Sequence, residues 1–507
     1  MIKRDGAAVS LWQNTVEEFV SRNPPAKKSY DVAIAGGGIT GITTALLLQK
    51  AGKNCIVFES YNLCFGTTGG TTAHLNTLLD SPYTLISKNF GKENAKLVAD
   101  ASKEAIELIK SHIKEYKINC GFKDASAYLF AQTDDQVKEL KDIHDACRDV
   151  KLKVVYAKKL PVNIPCKKAM IADGQAKFHP VKYVHALAKA FEDAGGVIVQ
   201  QCRVENIEND ETVQVQTSKG NFSAQYFIYA THIPAGINLL HLRCAPYRSY
   251  AMAVNLKDHK YPDDLFYDMY DPYHYIRSQK INNTNYLIVG AEDHKTGHVE
   301  NTNECFLKLE AYVRRHFDVN EVVHKWSSQY FEPADALPYI GHLPGNKGHV
   351  LVATGYGGNG MTYSHIAAVT LQNIVLNKEH PYIKLFDPNR IKPVAGFVSF
   401  ISHNADVVKQ FAGKWFGNEK LEAVAELTAG EGKVVKYEGH TIALYKDENG
   451  GLHAVNPTCT HMKCAVTWNT AEQTWDCPCH GARYATDGIV VTGPAGMDLE
   501  KIELQKI

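Results

Sequence analysis

The sequence predicts an α/β domain with a large β-sheet inserted into it, followed by a small metal-binding domain. Three observations support this prediction. An apolar strand runs straight into a glycine-rich turn in the first tenth of the chain. Segments with alternating apolar and polar residues occupy its middle, and two boxes of Cys and His residues lie near its end. A chain of 507 residues can accommodate several such domains.

The composition is that of an ordinary globular protein. Apolar residues make up 45% and charged residues 22%, and 55 basic side chains balance 55 acidic ones. Because there is no basic excess, we expect no nucleic-acid partner. No run of eighteen apolar residues is present and the first residues carry no leader-like apolar run, so we expect no stable membrane insertion. Most of the twelve cysteines are scattered, which favours reduced thiols in a cytoplasmic protein.

The glycine-rich turn reads Gly36-Gly-Gly38-Ile-Thr-Gly41. A predicted helix over 42–50 and a second strand follow, and the strand ends at Glu59. Strand, turn, helix and strand with an acidic residue about 20 positions on form a dinucleotide fingerprint. Gly36 permits the tight turn, Gly38 lets the backbone approach a pyrophosphate, and Gly41 lets the helix pack on the strand. Glu59 would accept hydrogen bonds from ribose hydroxyls.

Small and hydroxyl residues follow in the box Phe65-Gly-Thr-Thr-Gly-Gly-Thr-Thr-Ala-His74. With the fingerprint, this box resembles the FAD contacts of the glutathione-reductase-like flavoproteins, in particular the D-amino-acid oxidase and glycine oxidase branch. The resemblance covers about residues 29–380 and includes the glycine run 355–362. It implies a Rossmann-type α/β domain that binds FAD and an antiparallel-sheet substrate domain. The cofactor-binding residues that it implies, besides Gly36, Gly38, Gly41 and Glu59, are Thr67, Thr68, Thr71, Thr72, Val204, Gly357, Gly358, Asn359, Gly360, Met361 and Thr362.

Period-2 patterning with aromatic residues predicts strands over 247–254, 273–277 and 285–291, which would form a sheet over the flavin. The candidate catalytic residues facing that cofactor are His74, Tyr250, Tyr275 and Arg277. Ordinary packing on a sheet surface is an equally good interpretation of each of them.

One departure from the family pattern bears on the substrate. Members of the branch carry an Arg that clamps the substrate carboxylate, and this chain has Glu332 at that position, in Phe331-Glu-Pro-Ala-Asp. A carboxylate there would repel the acid group of an amino acid. The substitution favours a cationic amine, or a carboxylate held elsewhere by Arg248 or Arg277. The alternative is that Glu332 is a structural ion-pair partner.

The C-terminal boxes read Cys459-Thr-His461 and Cys477-Pro-Cys-His480. Two Cys and two His suit either zinc or a [2Fe–2S] centre with two His ligands on one iron. The spacing favours iron, because zinc fingers usually begin with Cys-x₂₋₄-Cys and end with His-x₃₋₅-His.

These boxes, with the Gly-Pro-Ala segment that begins at residue 493, resemble an all-β Rieske iron–sulfur domain over residues 426–507. The resemblance implies that Cys459 and Cys477 hold one iron and that His461 and His480 hold the other. It also implies a disulfide between Cys464 and Cys479, as in cytochrome bc-type members. High-potential members have a Ser where this chain has Ala482, while the family's Tyr is kept as Tyr484. Because one hydrogen-bond donor to sulfur is missing, we expect a lower cluster potential than in Ser-containing members.

The domain boundaries that follow are expectations. They are an N-terminal arm (1–28), an FAD-dependent oxidoreductase domain (29–380), a linker with a helix (381–425) and a Rieske domain (426–507). Within the second, the FAD-binding parts are 29–80, 176–235 and 331–380, and the substrate-binding parts are 81–175 and 236–330. We expect the linker helix within 394–416, where apolar residues recur.

Together the two resemblances imply an oxidoreductase. FAD would take a hydride from a small amine or N-substituted amino compound, and electrons would pass singly to the [2Fe–2S] cluster and then to an external acceptor. Two alternatives stay open. Electrons could enter from an external donor through the cluster, as in a reductase or monooxygenase component, or the chain could be a redox-responsive binding protein without turnover.

Overall fold

The structure is a computed structural model that describes residues 4–346, 348–390, 427–437 and 440–504. Its α-helices are α1 (Leu11–Asn14), α2 (Ile39–Lys50), α3 (Thr67–Gly70), α4 (Tyr83–Phe90), α5 (Lys92–Glu115), α6 (Asp134–Asp149), α7 (Pro180–Asp193), α8 (Asn303–His316), α9 (Gly360–Val375) and α10 (Pro381–Leu385), and a 3₁₀ helix spans Leu239–Leu242. The strands are β1 (Ser29–Ala35), β2 (Cys55–Phe58), β3 (His74–Leu75), β4 (Lys123–Ala131), β5 (Val154–Tyr156), β6 (Lys168–Lys177), β7 (Val197–Val199), β8 (Val204–Asn209), β9 (Val213–Thr217), β10 (Gly220–Tyr229), β11 (Cys244–Leu256), β12 (Leu265–Asp268), β13 (Tyr275–Ile281), β14 (Thr284–Lys295), β15 (Val319–Pro333), β16 (Tyr339–His342), β17 (Val350–Thr354), β18 (Gly432–Tyr437), β19 (His440–Lys446), β20 (Leu452–Val455), β21 (Thr467–Asn469), β22 (Thr474–Asp476), β23 (Arg483–Tyr484), β24 (Val490–Thr492) and β25 (Lys501–Ile502).

The first sheet is mainly parallel. Its strands lie in the order β16-β17-β10-β1-β2-β7, and only β16 pairs antiparallel within that order. Strand β1 is an almost uninterrupted apolar run because both faces of a parallel sheet are covered. Helices α7 and α9 pack on α2 over one face. This is the predicted α/β architecture, and α2 begins three residues before the predicted start because Gly38 is its N-cap.

The second sheet has nine strands in the order β15-β11-β14-β13-β12-β4-β6-β3, with β5 beside β6. All of its pairs are antiparallel except β12 with β4. The three alternating segments predicted from the sequence lie in β11, β13 and β14. Helix α8 covers one face of the sheet with Phe306, Leu309 and Val313, which leaves the other face free to meet the first sheet. The predicted antiparallel-sheet domain is confirmed.

The C-terminal part consists of two four-stranded antiparallel sheets. One has the order β18-β19-β20-β25 and the other β21-β22-β23-β24. The loops that carry the Cys and His boxes lie between β20 and β21 and between β22 and β23. This arrangement confirms the predicted all-β class.

The segment before β1 is packed into the molecule. Leu11 and Trp12 of α1 are fully buried, and the Trp12 indole N–H donates to the carbonyl of Thr71 at 2.5 Å. The Gln13 amide donates to the Cys64 carbonyl at 2.9 Å. The first residues therefore brace the hydroxyl-rich box. The linker helix expected within 394–416 lies outside the described residues.

Candidate functional site

The fingerprint turn is shaped for a close ligand. Gly36 has φ +111°, and a Cβ on it would lie 2.4 Å from the carbonyl oxygen of Ala230. A Cβ on Gly41 would lie 1.9 Å from the Gly36 oxygen, so helix α2 can approach β1 only with glycine there. Gly38 caps α2 without any side-chain hydrogen bond. The Ile39 N–H donates to the Thr68 hydroxyl at 3.1 Å, and the positive end of the helix faces the turn, as at phosphate-binding helix N-termini.

Glu59 follows β2 and holds the turn. Its carboxylate accepts from the Gly37 N–H at 2.7 Å and from the Tyr61 N–H at 3.0 Å. It also lines the cavity that begins at the turn.

The cavity has a volume of about 330 Å³ and runs from this turn to the inserted sheet. Of the fifteen predicted cofactor-binding residues, thirteen line it; Gly41 and Thr362 do not. Gly41 lies at the contact between helix and strand, and the Thr362 hydroxyl donates to the Asn76 carbonyl at 3.1 Å. The lining residues among the predicted set are Gly36, Gly38, Glu59, Thr67, Thr68, Thr71, Thr72, Val204, Gly357, Gly358, Asn359, Gly360 and Met361.

Two of the catalytic candidates lie in the far end of this cavity. His74 and Tyr275 both line it, with ring centroids 5.8 Å apart. The His74 Nδ1 lies 2.7 Å from the Tyr267 hydroxyl, while its Nε2 is buried without a hydrogen-bond partner. Burial lowers the pKa of His74 well below its usual range, so this imidazole is neutral.

The other candidates lie elsewhere, which corrects the expectation that they face the cofactor. Tyr250 points to the opposite side of the sheet, where it packs on Phe306 and contacts His294. Arg277 is fully buried and donates to the carbonyls of Thr72 and Ala73. Both side chains stabilise the sheet and the hydroxyl-rich box.

Glu332, at the position of the missing carboxylate clamp, does not line the cavity, and nor do the arginines expected to replace that clamp. Glu332 is an exposed residue of β15 and does not line the cavity. Arg248 is fully buried and contacts the Ser327 hydroxyl at 2.6 Å. With Arg277 also turned away, Arg203 is the one Arg or Lys among the described lining residues, and it lies beside Glu59 at the fingerprint end.

Acidic and phenolic groups that the sequence interpretation missed surround the far end. Asp293 contacts the Ser249 hydroxyl and accepts from the Tyr330 hydroxyl at 2.9 Å. Ser249 in turn lies 2.6 Å from the Tyr275 hydroxyl. Burial raises the pKa of Asp293 to about 7, and the Asp80 and Glu332 carboxylates add to that rise while the two hydroxyls oppose it.

Asp80 lies at the exposed opening of the same end. Its carboxylate accepts from the Gly358 N–H at 2.7 Å and from the Tyr273 hydroxyl at 3.3 Å. The alternation in β11 could have indicated this wall, because Ser249 and Ala251 line the cavity and Tyr250 between them does not. Asp80 follows no such pattern, and only the fold brings it to Gly358.

The four predicted cluster ligands converge in the C-terminal domain. Cys459 and Cys477 are buried beside each other, and the ring centroids of His461 and His480 lie 5.0 Å apart. Both imidazoles have a buried Nδ1 without a hydrogen-bond partner among the described residues. Two thiols and two such nitrogens match the donor set of a [2Fe–2S] cluster with His on one iron.

The two thiols share a hydrogen bond. It lowers the pKa of Cys459, with a further contribution from Tyr484, and raises the pKa of Cys477, so one of the two thiols deprotonates readily. Burial lowers the pKa of His480 to about 4, so this imidazole is neutral, as a metal ligand must be.

A disulfide joins Cys464 and Cys479, as predicted. The Cys477 sulfur lies within 4.8 Å of both sulfurs of this pair. Since the disulfide occupies two of the three sulfurs, they do not form a second metal site, and the bond instead clamps the two ligand loops together.

The C-terminal domain also forms part of the cofactor cavity, and no local sequence pattern predicts this contact. Residues 490–493, 495 and 496 line its wall, and the Val490 carbonyl accepts from the Tyr61 hydroxyl at 2.7 Å. In the ligand loop, the Gly481 carbonyl accepts from the Gln329 amide at 2.8 Å. The two candidate sites therefore share one interface.

A buried ionic cluster holds this interface together. It consists of three arginines and three carboxylates whose side chains are at most 2% exposed: Arg4, Asp5, Arg248, Glu472, Asp476 and Arg483. They come from the first residues, the inserted sheet and the C-terminal sheet.

The fold and the two sites define a flavoprotein oxidoreductase joined to an iron–sulfur domain of the Rieske type. Comparison with known families agrees: the model of the FAD dependent oxidoreductase family (DAO) matches residues 31–373, and that of the Rieske [2Fe-2S] domain matches residues 418–503. The chain belongs to this FAD dependent oxidoreductase family and carries a C-terminal Rieske domain. It is an enzyme of the amino-acid and amine oxidase type that binds FAD and a [2Fe–2S] cluster.

Individual relatives share this architecture in whole or in part. A putative Rieske 2Fe-2S iron-sulfur protein, YhfW of Bacillus subtilis (strain 168), is 34% identical over 94% of this chain and 93% of its own length. Gamma-glutamylputrescine oxidoreductase of Escherichia coli (strain K12) is 22% identical over 66% of this chain and 81% of its own. The crystal structure of glycine oxidase from Geobacillus kaustophilus superposes with a TM-score of 0.61 at 18% identity, covering 72% of this chain and all of that one. Among the described residues, no helix combines the length and apolar character needed to cross a membrane.

Proposed function

We propose that this enzyme oxidises a small cationic amine, or an N-substituted amino compound, by hydride transfer to FAD, and that electrons pass singly to the Rieske cluster and then to an external acceptor. FAD, when bound, supplies the hydride-accepting chemistry. The residues of the chain supply the binding and orientation of the amine.

The observation that carries the proposal is the charge of the far end of the cavity. Asp293 and Asp80 line it, and among the described lining residues no Arg or Lys lies near them. A carboxylate and an ammonium 4 Å apart attract each other by about 4 kcal/mol at an effective dielectric constant of 20. The same field repels a substrate carboxylate, so an amine is favoured over the corresponding amino acid.

The aromatic lining supports the same substrate class. Tyr267, Tyr273, Tyr275 and Tyr330 present phenol rings to this end. A cation over such a ring gains roughly 0.5–2 kcal/mol, depending on how far it is desolvated. The Escherichia coli relative is named for gamma-glutamylputrescine.

Asp293 also offers a place for the ammonium proton. An amine must lose that proton before its nitrogen lone pair can assist C–H cleavage. Because the pKa of Asp293 lies near 7, its carboxylate can bind the ammonium and accept one proton from it. Ser249 and Tyr330 fix the orientation of the carboxylate for this step.

The test is an anaerobic titration of the purified holoenzyme with matched pairs of amines and amino acids, for example putrescine and ornithine. We expect the amine to bleach the flavin absorbance first and then to raise the EPR signal of the reduced Rieske cluster. Faster flavin reduction by the amino acid of each pair would overturn the proposed substrate class. If no amine reduced the flavin while chemical reduction of the cluster spread to it, electrons would flow in the opposite direction and the proposal would fail.

A further inference from the structure

A histidine of the oxidoreductase domain lies between the cofactor cavity and the cluster ligands. His241, in the 3₁₀ helix, is 4% exposed, and its Nδ1 lies 3.0 Å from the Nε2 of His461. Its ring centroid is 4.5 Å from that of His461 and 5.9 Å from that of His480. Nothing near residue 241 in the sequence resembles a ligand motif, so this contact is visible only in the fold.

The neighbouring carbonyls determine where the protons lie. The Pro234 carbonyl, 2.9 Å from the His241 Nε2, can only accept and lies nearer to it than the Asn238 amide nitrogen at 3.2 Å, so that nitrogen carries the hydrogen. The Gly236 carbonyl, 3.1 Å from the His461 Nε2, requires a hydrogen there as well. The Nδ1 of His241 is consequently bare and shares the Nε2 hydrogen of His461 with the Gly236 carbonyl.

The hydrogen bond between His241 and His461 concerns the cluster, because His461 is one of its expected ligands. The Nδ1 of His461 is the buried nitrogen without a partner, so Nδ1 is the ligand atom and Nε2 is the outer one. An acceptor on the outer N–H of a metal-bound imidazole fixes its orientation and raises its basicity. A more basic ligand stabilises the oxidised metal centre.

The same segment forms the wall of the cofactor cavity. Residues 230–233 and 235 line it, and Pro234 and Gly236 supply the two carbonyls that hold His241 and His461. One short piece of chain thus touches the flavin cavity on one side and a cluster ligand on the other.

We propose that His241 is the positioning residue of the ligand His461 and that, with residues 230–236, it forms the route by which electrons cross between the flavin and the cluster. One electron crosses at a time: the donor cofactor is oxidised, the acceptor cofactor is reduced, and no bond to His241 forms or breaks. The inference rests on the electron exchange of the proposed function, and neither on the amine nor on the direction of flow.

The test uses the full-length holoenzyme with His241→Leu, which removes the acceptor, and His241→Asn, whose amide oxygen can replace Nδ1. The cluster potential is measured by EPR-monitored titration, and the rate of electron exchange is measured after rapid chemical or photochemical reduction. We expect His241→Leu to raise the potential and to slow the exchange by about tenfold. His241→Asn should restore most of both properties. His453→Leu, the same change at an exposed histidine of the Rieske domain, is the matched control and should change neither.

A wild-type potential and exchange rate in His241→Leu would overturn the inference. If that variant did not accumulate, His241→Phe, which keeps a ring but has no acceptor, would replace it. Wild-type values in His241→Phe would then refute the role. Because no amine is used, failure of the proposed substrate class would leave these measurements unaffected.

Discussion

The guanidinium of Arg483 lies 3.0 Å from the carboxylate of Asp5, and this contact joins the Rieske domain to the first described residues of the chain. Arg483 also contacts Asp476 at 3.2 Å within its own domain, and Asp476 lies 3.5 Å from Arg248 of the inserted sheet. The three parts of the molecule therefore share one set of buried charges. We infer that the Rieske domain is docked in a fixed position against the oxidoreductase domain.

Removal of Asp5 should destabilise the docked state. Asp5→Ala removes one of the two carboxylates that contact Arg483 and also the partner of Arg4, and the loss of one member of a buried ion pair costs about 3–5 kcal/mol. Chemical unfolding followed by flavin and cluster absorbance measures the change. Asp149→Ala, which removes the partner of Lys92 in an exposed pair, is the control and should cost about 1 kcal/mol or less. Equal losses in the two variants would refute a structural role for the ionic cluster.

The ionic cluster also makes the docked state sensitive to acid. Burial raises the pKa of Asp5, but the guanidiniums of Arg4, Arg483 and Arg248 outweigh it and hold that pKa below the usual 3.8. The same balance lowers the pKa of Asp476. A lowered folded-state pKa gives stability that is present above the unfolded-state value and is lost as the pH falls through the folded-state value.

We therefore expect the unfolding free energy contributed by these groups to be constant above about pH 4 and to fall below it. Measurement of unfolding between pH 2 and pH 6 (roughly the range in which carboxylates titrate) checks this. Asp5→Asn should flatten the slope, since the variant has no carboxylate to protonate. An unchanged slope in this variant would assign the acid sensitivity to other carboxylates.

The parts of the fold that were predicted from the sequence are those encoded locally. The strand, glycine turn and helix around Gly38 form within about twenty residues, and the boxes at Cys459 and Cys477 are each self-contained. The need for glycine where two backbone segments touch is visible in a short stretch of sequence, as the contact of Gly41 with Gly36 shows.

The parts of the fold and of the site that were not predicted depend on contacts between residues that lie far apart in the sequence. The alternation along a strand does not show which of its two faces meets a ligand. Tyr250 was predicted to face the cofactor, whereas its neighbours Ser249 and Ala251 line the cavity. The pair Asp5 and Arg483 is separated by 478 positions, and no local pattern marks either residue. His241 lies in a 3₁₀ turn whose sequence is unremarkable in isolation.

Asp293→Asn should weaken amine binding. The change replaces a charge-assisted contact, worth about 1.5–3 kcal/mol, so KM for the amine should rise roughly 10- to 100-fold. Glu211→Gln is the control, because that side chain is exposed and lies outside the cavity. Its charge is screened by solvent and salt, so KM should change by less than about threefold. A larger effect from Glu211→Gln than from Asp293→Asn would place substrate recognition outside the cavity.

The pH dependence of amine binding follows from the same carboxylate. Because burial raises the pKa of Asp293 to about 7, the charged form accumulates as the pH rises through that value. An alkylammonium stays protonated to about pH 10, so kcat/KM should increase up to neutrality and then level off. Asp293→Asn should abolish the increase in kcat/KM near pH 7.

The raised pKa of Asp293 also affects stability. The free energy of unfolding falls as the pH rises from the ordinary carboxyl pKa to about 7, so Asp293→Asn should be more stable than the native chain above pH 7.

Tyr484→Phe should lower the cluster potential. The Tyr484 hydroxyl accepts from the Thr460 N–H at 3.1 Å, and its own hydrogen can be donated to the Cys459 sulfur at 3.2 Å or to the Thr460 hydroxyl at 3.1 Å. A donor to sulfur stabilises the reduced, more negative cluster, and its loss favours the oxidised form. For a contribution near 1.4 kcal/mol the shift is about 60 mV for one electron. Ala482→Ser, which restores the second donor of high-potential members, should raise the potential by a similar amount. EPR-monitored titration measures both, with Tyr445→Phe as the control at another tyrosine of the same domain. A potential that stays unchanged in Tyr484→Phe would show that this hydroxyl does not tune the cluster.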